Sequence, residues 1–495
     1  MTIPFKSTPQ NLRVPLFYAE VDNSQANTAQ QTQRALIIGQ ITSAGTLTPN
    51  VPQISQGPSE AAQVAGQNSM LALMVSAYRL NDSFGEVWYL PLADDGAATA
   101  ATGSIAFTAA ATANGTLYLY IGGVRYALPV STTQTTDQIA TSLAALVNSD
   151  SACPVAATAS THTVTFTAVN KGPCGNDIDL RVNYGGTLDG EALPAGLTFT
   201  ITAMSGGATA PSLTTALANL GSQTFDFIVC PYTDSTSLNA LRDFLDDTTG
   251  RWSPLQQLYG HVFAAKEGTL SALTTFGTAR NDQHASVMGF NDSPTPAWLW
   301  AAAEAGATAA SVRVDPAMPL QTLILKGVLP PPLQSRFAMS DRNALLYDGI
   351  STFTVTDDGS VAIENLITTY QKNGFGAPDN SYLEIETLFT LTYVLRAMKG
   401  RVTSKFARVK LAADGTRYAP GSAVVTPSVI RAELIAEYRE LESAGLVQNG
   451  DAFKAGLIVE QNATNPNRVD VLWPGTLIDQ LRIFAVLAQF RLIAS

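Results

Sequence analysis

The chain has 495 residues, a formal net charge of −11 and only 14% charged side chains. That length predicts about three domains with a core that needs no disulfide, and the acidic balance excludes a general nucleic-acid binder, which would carry a basic footprint. No run of about 18 apolar residues predicts a membrane-spanning helix, MTIPFKSTPQ lacks the apolar segment of a signal peptide, and Cys153, Cys174 and Cys230 fit no metal spacing, so they read as reduced, buried thiols of a protein made in the cytoplasm.

Leu12 to Asp22 (LRVPLFYAEVD) is strand-like, with Leu12, Val14, Leu16 and Tyr18 on one face. A polar linker, Asn23 to Gln33, detaches it from the next strand. Arg34 to Gln40 (RALIIGQ) is a continuous apolar run, the signature of a parallel strand covered on both faces. Ser59 to Leu80 has helical spacing, and Glu86 to Leu92 is a second strand. Near Ala97 the composition shifts to Ala, Thr, Ser and Gly until about Ala210. Inside that stretch Leu117, Leu119 and Ile121 alternate, Gly122-Gly123 supplies a hairpin turn, and Tyr126, Leu128 and Val130 alternate again. Thr136 to Val147 predicts one helix. The composition break at both ends predicts a separable, β-rich insertion.

From Ser212 a strand–helix rhythm resumes: strands Phe225 to Pro231, Leu258 to Ala264 and Ala285 to Phe290, with helices Ser237 to Asp246, Leu270 to Ala279 and Trp298 to Ala309. Such alternation predicts a mostly parallel sheet with helices on both faces. Past Pro330-Pro331-Pro332, Phe353 to Ile363 is a hairpin with an Asp-Gly turn. Ser381 to Lys399 is a helix whose apolar stripe is core, with Gly400 placed as its C-cap. Thr426-Pro427 opens a helix that Gly445 closes. Leu457 to Glu460 and Arg468 to Leu472 form a second hairpin, and GTLIDQ is a last amphipathic turn. The final stretch, Leu481 to Leu492, is strand-like, with Phe484, Val486, Ala488, Phe490 and Leu492 on one face. Two readings stay open for the terminal strands: they close the chain's own sheet, or they add to neighbouring subunits.

Chemistry is hard to find. The sequence has no Gly-Lys pair, hence no phosphate-binding loop, and no GxGxxG, GxSxG or HExxH. Of three histidines, His162 reads as exposed, His261 as a core residue and His284 as a loop residue. Asp246-Asp247 and Asp357-Asp358 read as turns rather than acid–base pairs, and Gly374-Phe375-Gly376 as turn chemistry. No cofactor or metal is expected. One charge feature stands out: Arg396, Lys399, Arg401, Lys405, Arg408 and Lys410 crowd into fifteen residues of an acidic chain. They form either a solubilising face or a patch for an acidic partner.

ENLITTYQKNGFGAPDNSYLEIETLFTLTYVLRAMKGRVTSKF and NPNRVDVLWPGTLIDQLRIFAVLAQFRL resemble the tail sheath proteins of Mu-like contractile-tailed phages. LRVPLFYAEVDNS with RALIIGQ is similar to their start, and TLYLYIGGVRYALPV and GNDIDLRVNYGG match their inserted domain. The resemblance implies a multidomain α/β chain: an N-terminal arm and linker (1–33), a subtilisin-like α/β core (34–95 and 211–340) with a mostly parallel sheet, a protruding β-rich insertion (96–210), an α+β C-terminal assembly domain (341–480) and a C-terminal arm strand (481–495). It also implies a non-enzymatic virion protein, assembled in the host cytoplasm as a helical homo-oligomer around the inner tail tube. Contraction would drive the tube through the host envelope. The expected partners are the tube, baseplate and tail terminator proteins, with no nucleic acid and no membrane insertion. The terminal strands would be exchanged between subunits, and the basic cluster would face the tube. The alternatives are an α/β hydrolase or another virion shell protein.

Overall fold

A strand apolar on both sides of its pleat needs cover above and below. RALIIGQ obtains it at the centre of a six-stranded sheet. The computed structural model of the chain describes residues 33–492. In it, strand Arg34–Gln40 pairs in parallel with Glu86–Leu92 on one side and Phe227–Val229 on the other. His261–Glu267 and Ala285–Phe290 continue the sheet in parallel, and the short Gln53–Ile54 closes the opposite edge antiparallel. Helices Met70–Asn81 and Ala297–Val314 pack on each other and on the sheet.

Several boundaries differ from expectation, each for a local reason. Ser59 to Leu80 is two helices, Pro58–Ala65 and Met70–Asn81. Gly66 breaks them at φ +94°, and a side chain there would collide with Thr42 Oγ1. The strand expected from Leu258 begins at His261, because Leu258 donates its N–H to Arg251 O at 2.8 Å and closes a turn. GTLIDQ holds a strand, Thr476–Leu477, which pairs with Val447–Gln448 rather than forming a helical turn.

The helix expected at Ser381 to Lys399 runs Ile385–Phe406, with Gly400 in its interior. Ser381 to Leu383 are held outside it, since Leu383 O accepts from Thr368 N at 2.9 Å. At the other end Arg401 and Lys405 grip carboxylates of helix Pro427–Ser443 and carry the turns past glycine.

The insertion folds as two antiparallel sheets. One orders Thr198–Ser205, Thr102–Ala109, Thr163–Ala168 and Val155–Ser160; the other orders Val124–Val130, Gly115–Ile121 and Leu180–Val182. Period-two alternation sends Ile105, Phe107, Val164 and Phe166 inward and leaves Thr158, Thr165 and Thr200 in solvent. Helix Thr136–Ser149 starts with a capping box: Thr135 Oγ1 accepts from Gln138 N, and Gln138 Oε1 accepts from Thr135 N. All three cysteines are buried and free.

The insertion's core is continuous with that of the α/β sheet in one apolar cluster, which also takes in Phe353, Ile363, Ile385 and Phe389. A second cluster holds the C-terminal part: Val394, Ile430, Leu434, Tyr438, Phe453 and Leu457. Helix Ile385–Phe406 therefore spans both cores. Its first turns set Phe389 against Phe227, with ring centroids 5.2 Å apart. Farther along, Arg396 reaches back to Asp226 at 2.5 Å. Burial raises the Asp226 carboxyl above its ordinary value, and Arg396 opposes the shift. Removing one partner of so buried a pair costs about 3–5 kcal/mol.

Candidate assembly site

Aromatic packing fixes the C-terminal core. Tyr438 of helix Pro427–Ser443 stacks on Phe453 with centroids 3.8 Å apart, and Trp473 closes over both. The Tyr438 hydroxyl donates to Gln448 O and accepts from Thr476 N, tying the last strand pair to the helix. From that anchor the chain leaves along Leu481.

Arg482 ties it to the fold. Its Nη2 donates to Glu384 at 2.8 Å and to Glu386 at 2.5 Å. Glu386 is fully buried in the first turn of helix Ile385–Phe406 and also accepts from Leu320 N. Burial raises the Glu384 carboxyl, Arg482 draws it down and Glu386 pushes it up again. Beyond Arg482 the chain joins no strand ladder among the described residues. Phe484 is 82% exposed, Val486 70%, Phe490 83% and Leu492 91%, and Ala488 is exposed with them. Leu12, Val14, Leu16 and Tyr18 lie outside the described residues.

One feature that periodicity alone did not single out completes the picture. The hairpin Ile458–Gln461 with Val469–Leu472 is a sheet of two strands, so among the described residues each keeps an open outer edge. Ile458 and Leu472 stand on it half exposed. An open edge with apolar flanks is a template for another strand. The Asn465-Pro466-Asn467 turn was the available signal for the hairpin; nothing in a pattern states that its edges stay unpaired.

The basic cluster divides. Arg396 is spent on Asp226 inside the fold. Arg401 pairs with Glu433 at 3.4 Å and with Glu440, and Lys405 with Glu433 at 2.5 Å. Lys399, Arg408 and Lys410 are exposed.

The histidines that could serve catalysis are placed as follows. His261 Nε2 meets Ser286 Oγ at 2.8 Å, but both are buried, and burial lowers the imidazole to about 3, so it stays neutral. His284 is buried rather than in an open loop; it bonds Asp247 at 2.7 Å and stacks on Trp252. His162 is exposed. Among the described residues no group of three His, Cys, Asp or Glu could hold a metal ion, and no helix is long and apolar enough to cross a membrane.

The crevice where parallel sheets bind ligands lies at the carboxyl ends of strands, where the strand order reverses. Here that point is the end of Arg34–Gln40, and a loop of the insertion fills it. Gln40 Nε2 donates to Asp94 at 2.6 Å and to Lys171 O at 2.7 Å; Tyr232 donates to Gln40 Oε1. Asn170 donates to Ile41 O at 3.0 Å and accepts from Met70 N at 2.8 Å. The nearby cavity lined by Met70, Asn170, Cys174 and Trp298 measures about 20 Å³, room for a water.

Three family models match: the phage tail sheath protein beta-sandwich domain over residues 94–198, the phage tail sheath protein central domain over 206–369 and the phage tail sheath C-terminal domain over 377–491. The chain is 42% identical, over 99% of its length and 100% of the relative's, to the Mu-like prophage FluMu tail sheath protein of Haemophilus influenzae. Among solved structures, a sheath tail protein from Desulfitobacterium hafniense aligns over 94% of this chain and 97% of its own, at TM-score 0.48 and 14% identity. The helical sheath of the anti-feeding prophage in its contracted state aligns over 97% and 100%, at TM-score 0.46 and 12% identity.

Proposed function

The chain belongs to the phage tail sheath family, a structural component of the contractile tail, and from that premise we propose that its terminal strands are exchanged between subunits to hold a helical polymer around the inner tail tube. The single observation that carries this reading is the exposed apolar run after Arg482. A segment alternating Phe484, Val486, Phe490 and Leu492 gains stability only when a partner covers it, at about 1.5–3 kcal/mol for each large side chain fully buried. The edges of Ile458–Gln461 and Val469–Leu472, open among the described residues, offer main-chain partners for part of such a segment. A strand added there brings hydrogen bonds from the backbone and pockets for alternate side chains.

Exchange of this kind suits a machine that changes shape. Main-chain ladders persist while the domains they join rotate as rigid bodies from a long lattice to a shorter, wider one. No nucleotide chemistry is needed, and we assign the chain no catalytic role. Lys399, Arg408 and Lys410 are exposed members of the basic cluster and are the residues proposed to face the tube. The baseplate and the tail terminator would meet the two ends of the polymer.

Negative-stain microscopy of the purified chain tests the proposal. Hollow tubes are expected. Closed shells would favour another virion shell role, and labelling by an active-site serine probe would favour a hydrolase.

A further inference from the structure

The stretch from Ile478 to Arg482 is held at both ends, and the two ends belong to different cores. At the first end Leu477 pairs with Val447, and Ile478 N donates to Leu446 O at 3.1 Å, on the C-terminal core. Gln448 Nε2 then donates to Asp479 at 3.0 Å. At the second end Leu481 O accepts from Gln321 Nε2 at 3.3 Å, and Arg482 Nη2 donates to Glu384 and Glu386. These partners sit on the central core: Leu320, whose N–H Glu386 also accepts, and Ile385 lie in its apolar cluster. A tail tied at one point leaves anywhere within a cone. A tail tied at two points a few residues apart leaves along a line. Stability alone does not account for the second tie. A buried ion pair is a weak source of stability, because desolvating the charges offsets their attraction; its best-attested use is to fix register. Here the carboxylate of Glu386 is fully buried, while Nε and Nη1 of Arg482 are buried without a hydrogen-bond partner. What the pair fixes is the point from which Phe484, Val486, Phe490 and Leu492 emerge into solvent.

We propose that Arg482 is the positioning residue of the C-terminal arm: its clamp on Glu384 and Glu386 aims the apolar run before a second copy receives it. The inference rests on the reading of the arm as a strand given to a neighbouring copy. A run already aimed has less freedom to lose on capture, and its effective concentration at the receiving edge is higher than that of a freely swinging tail. Aiming is separable from strand pairing, because the exposed run begins beyond the clamp. It is also separable from the chemistry of the guanidinium fork. Both ion pairs run through the single nitrogen Nη2, so a lysine ammonium, a point charge with rotatable donors, can take over the clamp.

The test uses the full chain and a labelled synthetic peptide of residues 483–495. Wild type is compared with Arg482→Lys, with Gln321→Ala, and with Arg482→Met combined with Glu386→Gln, which leaves no fully buried charge unpaired. Sedimentation gives the concentration at which polymer appears. Fluorescence anisotropy gives the affinity of each chain for the peptide below that concentration. The double variant is expected to raise the polymer concentration about tenfold or more while binding the peptide as wild type does. Arg482→Lys should recover most of the loss. Gln321→Ala loosens the tie at Leu481 without touching a buried charge, and should shift the concentration the same way by about threefold, which keeps the test open if the double variant does not fold. Unchanged polymer concentrations in the double variant or, where that does not fold, in Gln321→Ala overturn the positioning role. So does a peptide affinity that falls by the same factor as assembly, since the substitution would then have harmed the receiving surface. The arm reading fails separately: a peptide that neither binds nor hinders wild-type assembly refutes it and removes the clamp's purpose with it. A wild-type chain that forms no polymer overturns both.

Discussion

Arg482 and Glu386 form a 2.5 Å ion pair whose carboxylate is fully buried, while the chain beyond the arginine runs out into solvent. The pair divides the C-terminus into a part that belongs to the subunit's own core and a part that does not. The division decides what a mutation on either side does.

Val486→Pro lies on the solvent side. It removes a main-chain donor and restricts φ, but among the described residues there is no ladder there to lose. Thermal unfolding of the monomer should stay within about 0.5 kcal/mol of wild type, and tube formation should fail. A monomer destabilised by about 3 kcal/mol would mean that the strand closes the subunit's own sheet.

Asn170→Leu tests how the insertion is mounted. Its amide satisfies Ile41 O and Met70 N at the end of the central strand. Leaving both unpaired should cost about 2 kcal/mol, read as a lower urea midpoint. For the same reason, replacing residues 97–209 with a short Gly/Ser linker should give a less stable chain and fewer tubes, contrary to what the composition break leads one to expect. A deletion as stable as the intact chain would restore the insertion as a separable module.

Glu304 gives a pH dependence. It is fully buried in helix Ala297–Val314 with no hydrogen-bond partner on either oxygen, and burial raises its carboxyl well above the ordinary value. The folded state therefore holds a proton that the unfolded state releases above about pH 4.3. Stability from this group is complete below that pH and falls as pH rises, by about 1.4 kcal/mol per unit. Glu304→Gln should remove one proton's worth of that slope, so its advantage over wild type grows from pH 5 to pH 8 in urea titrations. Parallel slopes would show that the carboxyl is ionised in the fold.

The basic cluster should respond by position. Reversing Lys399, Arg408 and Lys410 to Glu should leave unfolding unchanged and weaken co-sedimentation with the inner tube, most at low salt. Arg396→Glu should instead destabilise the fold, because it places a second carboxylate against buried Asp226. Equal tube binding by the triple variant at low salt would return those residues to a solvated face.

Much of this chain is legible as a sequence. RALIIGQ reads as a doubly covered strand because its apolar residues are continuous, and the insertion's strands read as strands because Leu117, Leu119 and Ile121 alternate. Those are local facts of period and composition. The resemblance to sheath proteins is legible too, in long terminal blocks that the family matches cover. What the sequence leaves open is decided by contacts between residues far apart. Gly400 looks like a helix stop until Arg401 and Lys405 find Glu433 and Glu440. Arg396 looks like part of a surface patch until Asp226, 170 residues away, claims it. Asn170 gives no sign in its own neighbourhood that it caps the central strand. Periodicity reports which face of an element is apolar. It cannot report which distant charge or carbonyl that element will meet, because the partner is chosen by the packing of the whole chain.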